Sequence, residues 1–324
     1  MKRRCCGGLV MMLLFGVCAV PTFAQGAPPL SFAPVVQYTA QLGTGGEMTV
    51  FNGAMYLAFM ANDSSYTLYV KKSTDGTWSV PANHYPSIVM KASTGPAIAA
   101  FGTKLYVAYT GSDGYVYLIS STDGVNFSSP IHAYYFTGGN MAQATSQPSM
   151  AAVNGELWIA WERDGQNGTT FAEAVETPDG GQTWNHTGCP GNLPNEPQTG
   201  ATVAVANYSG GLYFAFQSQG DWNHDLVVCN PSGSYVYPIQ VGSGISATSY
   251  NGSLYLAFKD ITGDNYLHIS GTSDGTTFTD TVYSGIHTNG RQQIVPGTTV
   301  FNNTYYLTFV QNDTGHYLEA THNN

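Results

Sequence analysis

Residues 250–258 read YNGSLYLAF, and the same phrase returns five more times along the chain. It appears as FNGAMYLAF from Phe51, FGTKLYVAY from Phe101, VNGELWIAW from Val153, YSGGLYFAF from Tyr208 and FNNTYYLTF from Phe301. Successive copies are 50, 52, 55, 42 and 51 residues apart. A period in this range marks a propeller or a solenoid built from one repeated unit.

Each unit reads as four strands. A run of small or apolar residues leads in, as in PAIAAF, PSMAAV or ISATSY, and forms strand A. Asn-Gly or a similar pair then makes a tight hairpin turn. The aromatic phrase is strand B. It is apolar at nearly every position, as a strand covered on both faces must be. Its recurrent alanine (Ala58, Ala108, Ala160, Ala215, Ala257) lets neighbouring sheets approach closely. A variable loop leads to strand C, as in YTLYVKKS, YVYLISS or YLHISGT. A turn such as STDGTW, STDGVNF, TPDGGQTW or TSDGTTF precedes a short strand D. Four antiparallel strands in about 50 residues make one propeller blade. The runs are too short and too glycine-punctuated for helices.

Six A-B-C copies are present, and the sixth reaches Asn324 without a strand D. The missing strand stands at the other end. Residues 31–39, SFAPVVQYT, resemble the D segments WSVPANHYP and NFSSPIHAYY. The expected fold is therefore an all-β, six-bladed propeller with four-stranded antiparallel blades. An N-terminal strand in the last blade closes the ring, which removes exposed sheet edges. Residues 25–324 form one domain.

Composition narrows the function. Charged residues are 9% of the chain, against about 25% in an average domain. Ten basic residues face 20 acidic ones, for a net charge of −10. A nucleic-acid binder needs a basic face, so that class is excluded. Residues 1–24 read as a secretory signal: Lys2, Arg3 and Arg4, an apolar run over 8–20, then Thr22-Phe23-Ala24 before the cleavage point. The apolar run is too short to span a bilayer. The expected product is secreted, to the cell exterior or a periplasm, as a monomer. Removing residues 1–24 takes three basic residues and no acidic ones, so the charge moves from −10 to −13. Cys189 and Cys229 remain. In an oxidising compartment they either pair or stay as two free thiols.

The C-D turns resemble the Asp box of sialidase-like (BNR-repeat) propellers, S-x-D-x-G-x-T-W. Residues 177–184, TPDGGQTW, fit with Thr for Ser; the turns at Asp75, Asp123 and Asp274 are one or two residues shorter, and blade 4 is degenerate at 230–235. The resemblance covers almost all of residues 25–324. It implies the fold, and a structural role for Asp75, Asp123, Asp179 and Asp274, whose carboxylates accept turn N–H groups. It also implies a test. Sialidases grip the substrate carboxylate with three arginines, and only Arg163 and Arg291 follow residue 24. A lysine lacks the planar fork that would replace one.

Residues that the repeat does not explain mark the site. In this fold the B-C loops and D-A connections share one face, where ligands bind at the central mouth. Trp222 is the one tryptophan outside the repeat, in a blade 4 loop with Asp221, Asn223 and His224. Glu162, Arg163 and Asp164 follow strand B of blade 3, and Lys259 and Asp260 follow strand B of blade 5. Arg291 sits in a D-A connection and Glu47 opens strand A of blade 1. An aromatic face with fixed polar groups suits sugar recognition. His224 has no second His or Cys at ligand spacing, so no metal is expected. Nucleophile elbows and Walker loops are missing, and no cofactor is expected.

The reading is a secreted, non-catalytic propeller that binds carbohydrate or another extracellular ligand at the mouth. One alternative is a glycoside hydrolase using Glu162, Asp164, Asp221 or Asp260, a chemistry that needs two carboxyls about 5–9 Å apart. The other is a scaffold for a protein partner.

Overall fold

The computed structural model describes residues 26–79, 81–92, 94–133, 143–164, 170–186, 202–218, 224–242, 244–261, 265–288, 295–310 and 315–324. These form six four-stranded antiparallel sheets. Blade 1 is Glu47–Phe51, Ala54–Met60, Thr67–Ser73 and Asn83–Val89. Blade 2 is Ala97–Phe101, Lys104–Thr110, Val116–Ser121 and Ile131–His132. Blade 3 is Ser149–Val153, Glu156–Asp164, Thr170–Thr177 and Asn185–His186. Blade 4 is Ala204–Tyr208, Gly211–Gln217, Asp225–Asn230 and Gly233–Gln240. Blade 5 is Ser246–Tyr250, Ser253–Lys259, Tyr266–Thr272 and Thr279–His287. Blade 6 takes Gly297–Phe301, Thr304–Val310 and Tyr317–His322 from the C-terminal end. Its fourth strand is Val36–Gln41, paired antiparallel to Tyr317–His322. The first strands of successive blades neighbour one another around a closed circle.

The core is six blade-blade interfaces rather than one centre. Strand B lies between two such interfaces, so every residue of Ala54–Met60 and Ser253–Lys259 is buried. The recurrent alanines are 0–2% exposed, which explains their size. The A-B turns need left-handed backbone, and Asn52 (φ 47°) and Asn251 (φ 47°) supply it before a glycine.

The C-D turns work locally. The Asp123 carboxylate accepts the N–H groups of Val125 and Asn126, each at 2.8 Å. Asp179 does the same for Gln182 and Thr183 at 2.9 Å. These bonds hold both carboxyls far below the usual range. The tyrosine of strand B in the preceding blade lies over each turn glycine: Tyr56 on Gly124, Tyr106 on Gly180, Tyr213 on Gly275 and Tyr306 on Gly76. Blade 4 has a two-residue hairpin instead, from Asn230 to Gly233. The preceding blade carries Trp158 where the others carry tyrosine.

The closing strand starts later than the sequence suggests, at Val36 rather than Ser31. Pro34 has no N–H for the ladder. Upstream, Ala33 still donates to His322 O at 2.8 Å, and Ala27 donates to Gly271 O at 3.1 Å. Phe32 stacks edge-on to Tyr283 at 5.1 Å. Residues 26–33 thereby tie the last two blades together.

Candidate functional site

Short bridges fix the D-A connections on the mouth face. Gly43 donates to Met60 O, Lys91 to Thr110 O, Thr145 to Glu162 O and Gly242 to Lys259 O, at 2.8–2.9 Å. Each connection is thus clamped to the end of strand B in its own blade. Around the axis the connections crowd together. A Cβ on Gly45 would strike the backbone of Val295, one on Gly95 would meet Gln147 and Gly45 O, and one on Gly244 would strike Thr202. This ring forms a floor under the mouth. It leaves Thr44 Oγ1 and Gln147 Oε1 buried without a partner among the described residues, an arrangement native proteins rarely tolerate without a water or ligand.

Below the floor runs an axial channel of about 230 Å³, lined by the six A strands. Its lining becomes exposed at Asn207 and Ser249, toward the A-B turns. Glu47 lines this channel, so it lies beneath the mouth. Burial pushes its carboxyl up to about 8, against hydrogen bonds from the Ser149 hydroxyl and the backbone at Ile98 and Met150. Across the channel Thr298 bonds both Ser246 at 2.5 Å and Thr248 at 2.7 Å.

At the ends of strand B, blades 3 and 5 carry buried charges. Glu162 is 7% exposed, and its carboxylate accepts from Thr145 Oγ1 at 2.9 Å. Lys259 is 6% exposed and donates to Asn265 Oδ1 at 3.3 Å. Burial pulls its ammonium below the ordinary lysine value, partly offset by Asp260. Asp260 is 5% exposed and stands 3.9 Å from His268 Nε2. His268 Nδ1 in turn meets Asp280 at 2.7 Å. Burial alone would raise the Asp280 carboxyl, but the bonds from His268 and Ser270 outweigh it and hold it low.

Arg163 packs within its own blade. Its Nε lies 2.7 Å from Glu173 Oε2, and its guanidinium sits 5.0 Å over the Phe171 ring. His186 meets the same Glu173 carboxylate. In sequence Glu173 reads as an ordinary strand acid, with nothing to mark it as a partner of Arg163. His224 Nδ1 is 2.9 Å from Gln217 Nε2. Asp221, Trp222, Asn223, Arg291 and Cys189, and the side chain of Asp164, lie outside the described residues. Cys229 is disulfide-bonded. No cluster of three or more His, Cys, Asp or Glu able to hold a metal exists among the described residues. No helix among them is long and apolar enough to cross a membrane.

The same architecture recurs in solved structures. A protein of unknown function from Dyadobacter fermentans DSM 18053 superposes with a TM-score of 0.69 at 14% identity, over 91% of this chain and 99% of that one. Trypanosoma rangeli sialidase gives 0.62 at 14%, over 91% of this chain and 60% of that one. The fold is the sialidase-like six-bladed β-propeller. Penicillium chrysogenum alpha-L-arabinanase, solved with arabinobiose, gives 0.61 at 11% identity, over 90% and 96% of the two chains. At these identities the likeness is one of fold. This propeller spans about 60% of the sialidase chain. No protein-family model and no curated protein sequence matches it. Of the two arginines this propeller has after residue 24, Arg163 is engaged by Glu173 and Phe171.

Proposed function

We propose that the protein is a secreted, non-catalytic propeller that binds carbohydrate at the centre of its mouth face. One observation carries the reading. The strand B ends of blades 3 and 5 hold Glu162, Lys259 and Asp260, each less than a tenth exposed, where the other blades have uncharged residues. Buried charge is costly, and a fold that does not need it for packing retains it for ligands. Carboxylate, ammonium and amide groups in fixed directions suit the hydroxyls of a sugar. The floor ring supports a ligand that rests on the face rather than threading the axis. Sialidase and arabinanase propellers of the same fold act on carbohydrates, which favours this class. Two arginines, one of them engaged by Glu173, argue against gripping a sialic acid carboxylate.

A hydrolytic reading is favoured by a different observation, the row Asp260, His268, Asp280, in which a histidine lies between two carboxylates. A glycan array probed with residues 25–324, with each spot checked by mass spectrometry, separates the two. Binding without cleavage supports the lectin reading. Cleaved spots favour the hydrolase, and a blank array refutes both.

A further inference from the structure

A second cavity lies far from the axis. It is a groove of about 430 Å³ at the seam where the ring closes, between the N-terminal strand of blade 6 and the outer strands of blade 1. Thr39 and Ala40 line one wall, and Asp63, Tyr69, Lys71 and Pro81 line the other. Lys71 is 5% exposed. It has no hydrogen bond or ion pair among the described residues. Burial pulls its ammonium below the ordinary lysine value, with no opposing contribution from an acid.

The repeat shows how unusual this lysine is. Lys71 pairs with Leu57 across strands B and C. The matching strand C residues are Ile119, Val175, Cys229, Ser270 and Thr321. Ile119, Val175 and Cys229 are 0–1% exposed and serve as core. Ser270 donates to Asp280 at 2.7 Å and Thr321 donates to Ala33 O at 2.6 Å. The blade therefore needs a small, apolar or internally satisfied residue here. Lys71 is none of these: its stem is packed where the other blades place core or self-satisfied residues, and its ammonium has no partner among the described residues.

Tyr69 and the Asp63 carboxylate also line the groove. Tyr69 is stacked between Phe59, at 5.6 Å, and His84, at 4.4 Å. Both ring faces are occupied, so the groove meets ring edge, the electropositive part of the aromatic quadrupole. Asp63, at the exposed rim, is held by Ser65 N at 2.9 Å and by the Ser65 hydroxyl. Pro81, Ala40 and Ala61 add apolar wall.

We propose that this seam groove is a binding site for a small organic carboxylate, whose charged end pairs with Lys71 and whose body lies against Pro81 and the alanines. The site is separate from the mouth and stands whether or not the mouth binds sugar.

The test titrates glucuronate and benzoate, with neutral glucose as control, into residues 25–324 and into Lys71→Met. At least one carboxylate should bind saturably to the parent protein, and glucose should not do so at this site. Lys71→Met should weaken that binding at least ten-fold while melting no lower than the parent, because methionine fills the stem without a buried charge. Lys72→Met, next on the same strand but exposed, should leave it unchanged. Failure of both carboxylates to bind, or equal binding by Lys71→Met, overturns the proposal. A clear loss of stability in Lys71→Met also overturns it, since that would make the lysine structural.

Discussion

Glu162 and Lys259 hold the same place in two blades, one residue past the aromatic that ends the repeated phrase, and carry opposite charges. Met60, Thr110, Gln217 and Val310 fill that place elsewhere. Both side chains are under a tenth exposed. Glu162→Gln and Lys259→Met should each weaken sugar binding at least ten-fold, about 1.4 kcal/mol. Calorimetric titration checks this; unchanged affinity in both variants contradicts the assignment of the mouth.

Glu47 makes stability depend on pH. Burial pushes its folded carboxyl up to about 8, from an ordinary value of 4.5. Between those values the folded protein holds a proton that the unfolded chain has lost. Stability therefore falls as pH rises through this window, by up to about 1.4 kcal/mol per unit. Glu47→Gln should flatten the curve, and its advantage over the parent should grow from pH 5 to pH 8. Parallel melting curves across that range contradict the buried, proton-holding role.

Gly180 combines a φ of 74° with the Tyr106 hydroxyl directly over it. Gly53 has a φ of 72° and open space around it. Gly180→Ala should cost about 2 kcal/mol or more, and clearly more than Gly53→Ala, since only the first also displaces a packed ring. Urea unfolding of both variants measures the difference.

Ring closure depends on the N-terminal strand. Deleting residues 25–41 removes the pairing with Tyr317–His322 and the Phe32–Tyr283 contact. The melting temperature should drop by about 10 °C or more. An unchanged value contradicts the closure.

Cys229 is fully buried and disulfide-bonded, and we propose Cys189 as its partner. Closing a loop of about 40 residues is worth roughly 3–4 kcal/mol. Unfolded, unreduced protein should show no reactive thiol once residues 1–24 are gone. Two thiols contradict the pairing.

The ring was legible because one phrase repeats six times and each copy states its own turns. The start of the closing strand was less so. Residues 31–39 look like a D segment throughout, but Pro34 cannot join the ladder, and the chain upstream of it reaches back to blade 5 instead. At the site, Glu162, Lys259 and Asp260 stood out by subtraction from the repeat. Arg163 looked like a ligand group until register placed Glu173 beside it. Lys71 was invisible. It reads as half of a Lys-Lys pair on a strand, and only the pairing register buries Lys71 while exposing Lys72. The environment of Glu47 was equally hidden, because it depends on Ser149 and Met150, about a hundred residues away on the facing A strand.

The central claim is that carbohydrate rests on the mouth face over the floor ring. A crystal structure of residues 25–324 with the strongest sugar from the array tests it most directly. The account predicts sugar density within hydrogen-bond reach of Glu162, Lys259 or Asp260. Density confined to the A-B turn face or to the seam beside Lys71 would contradict it.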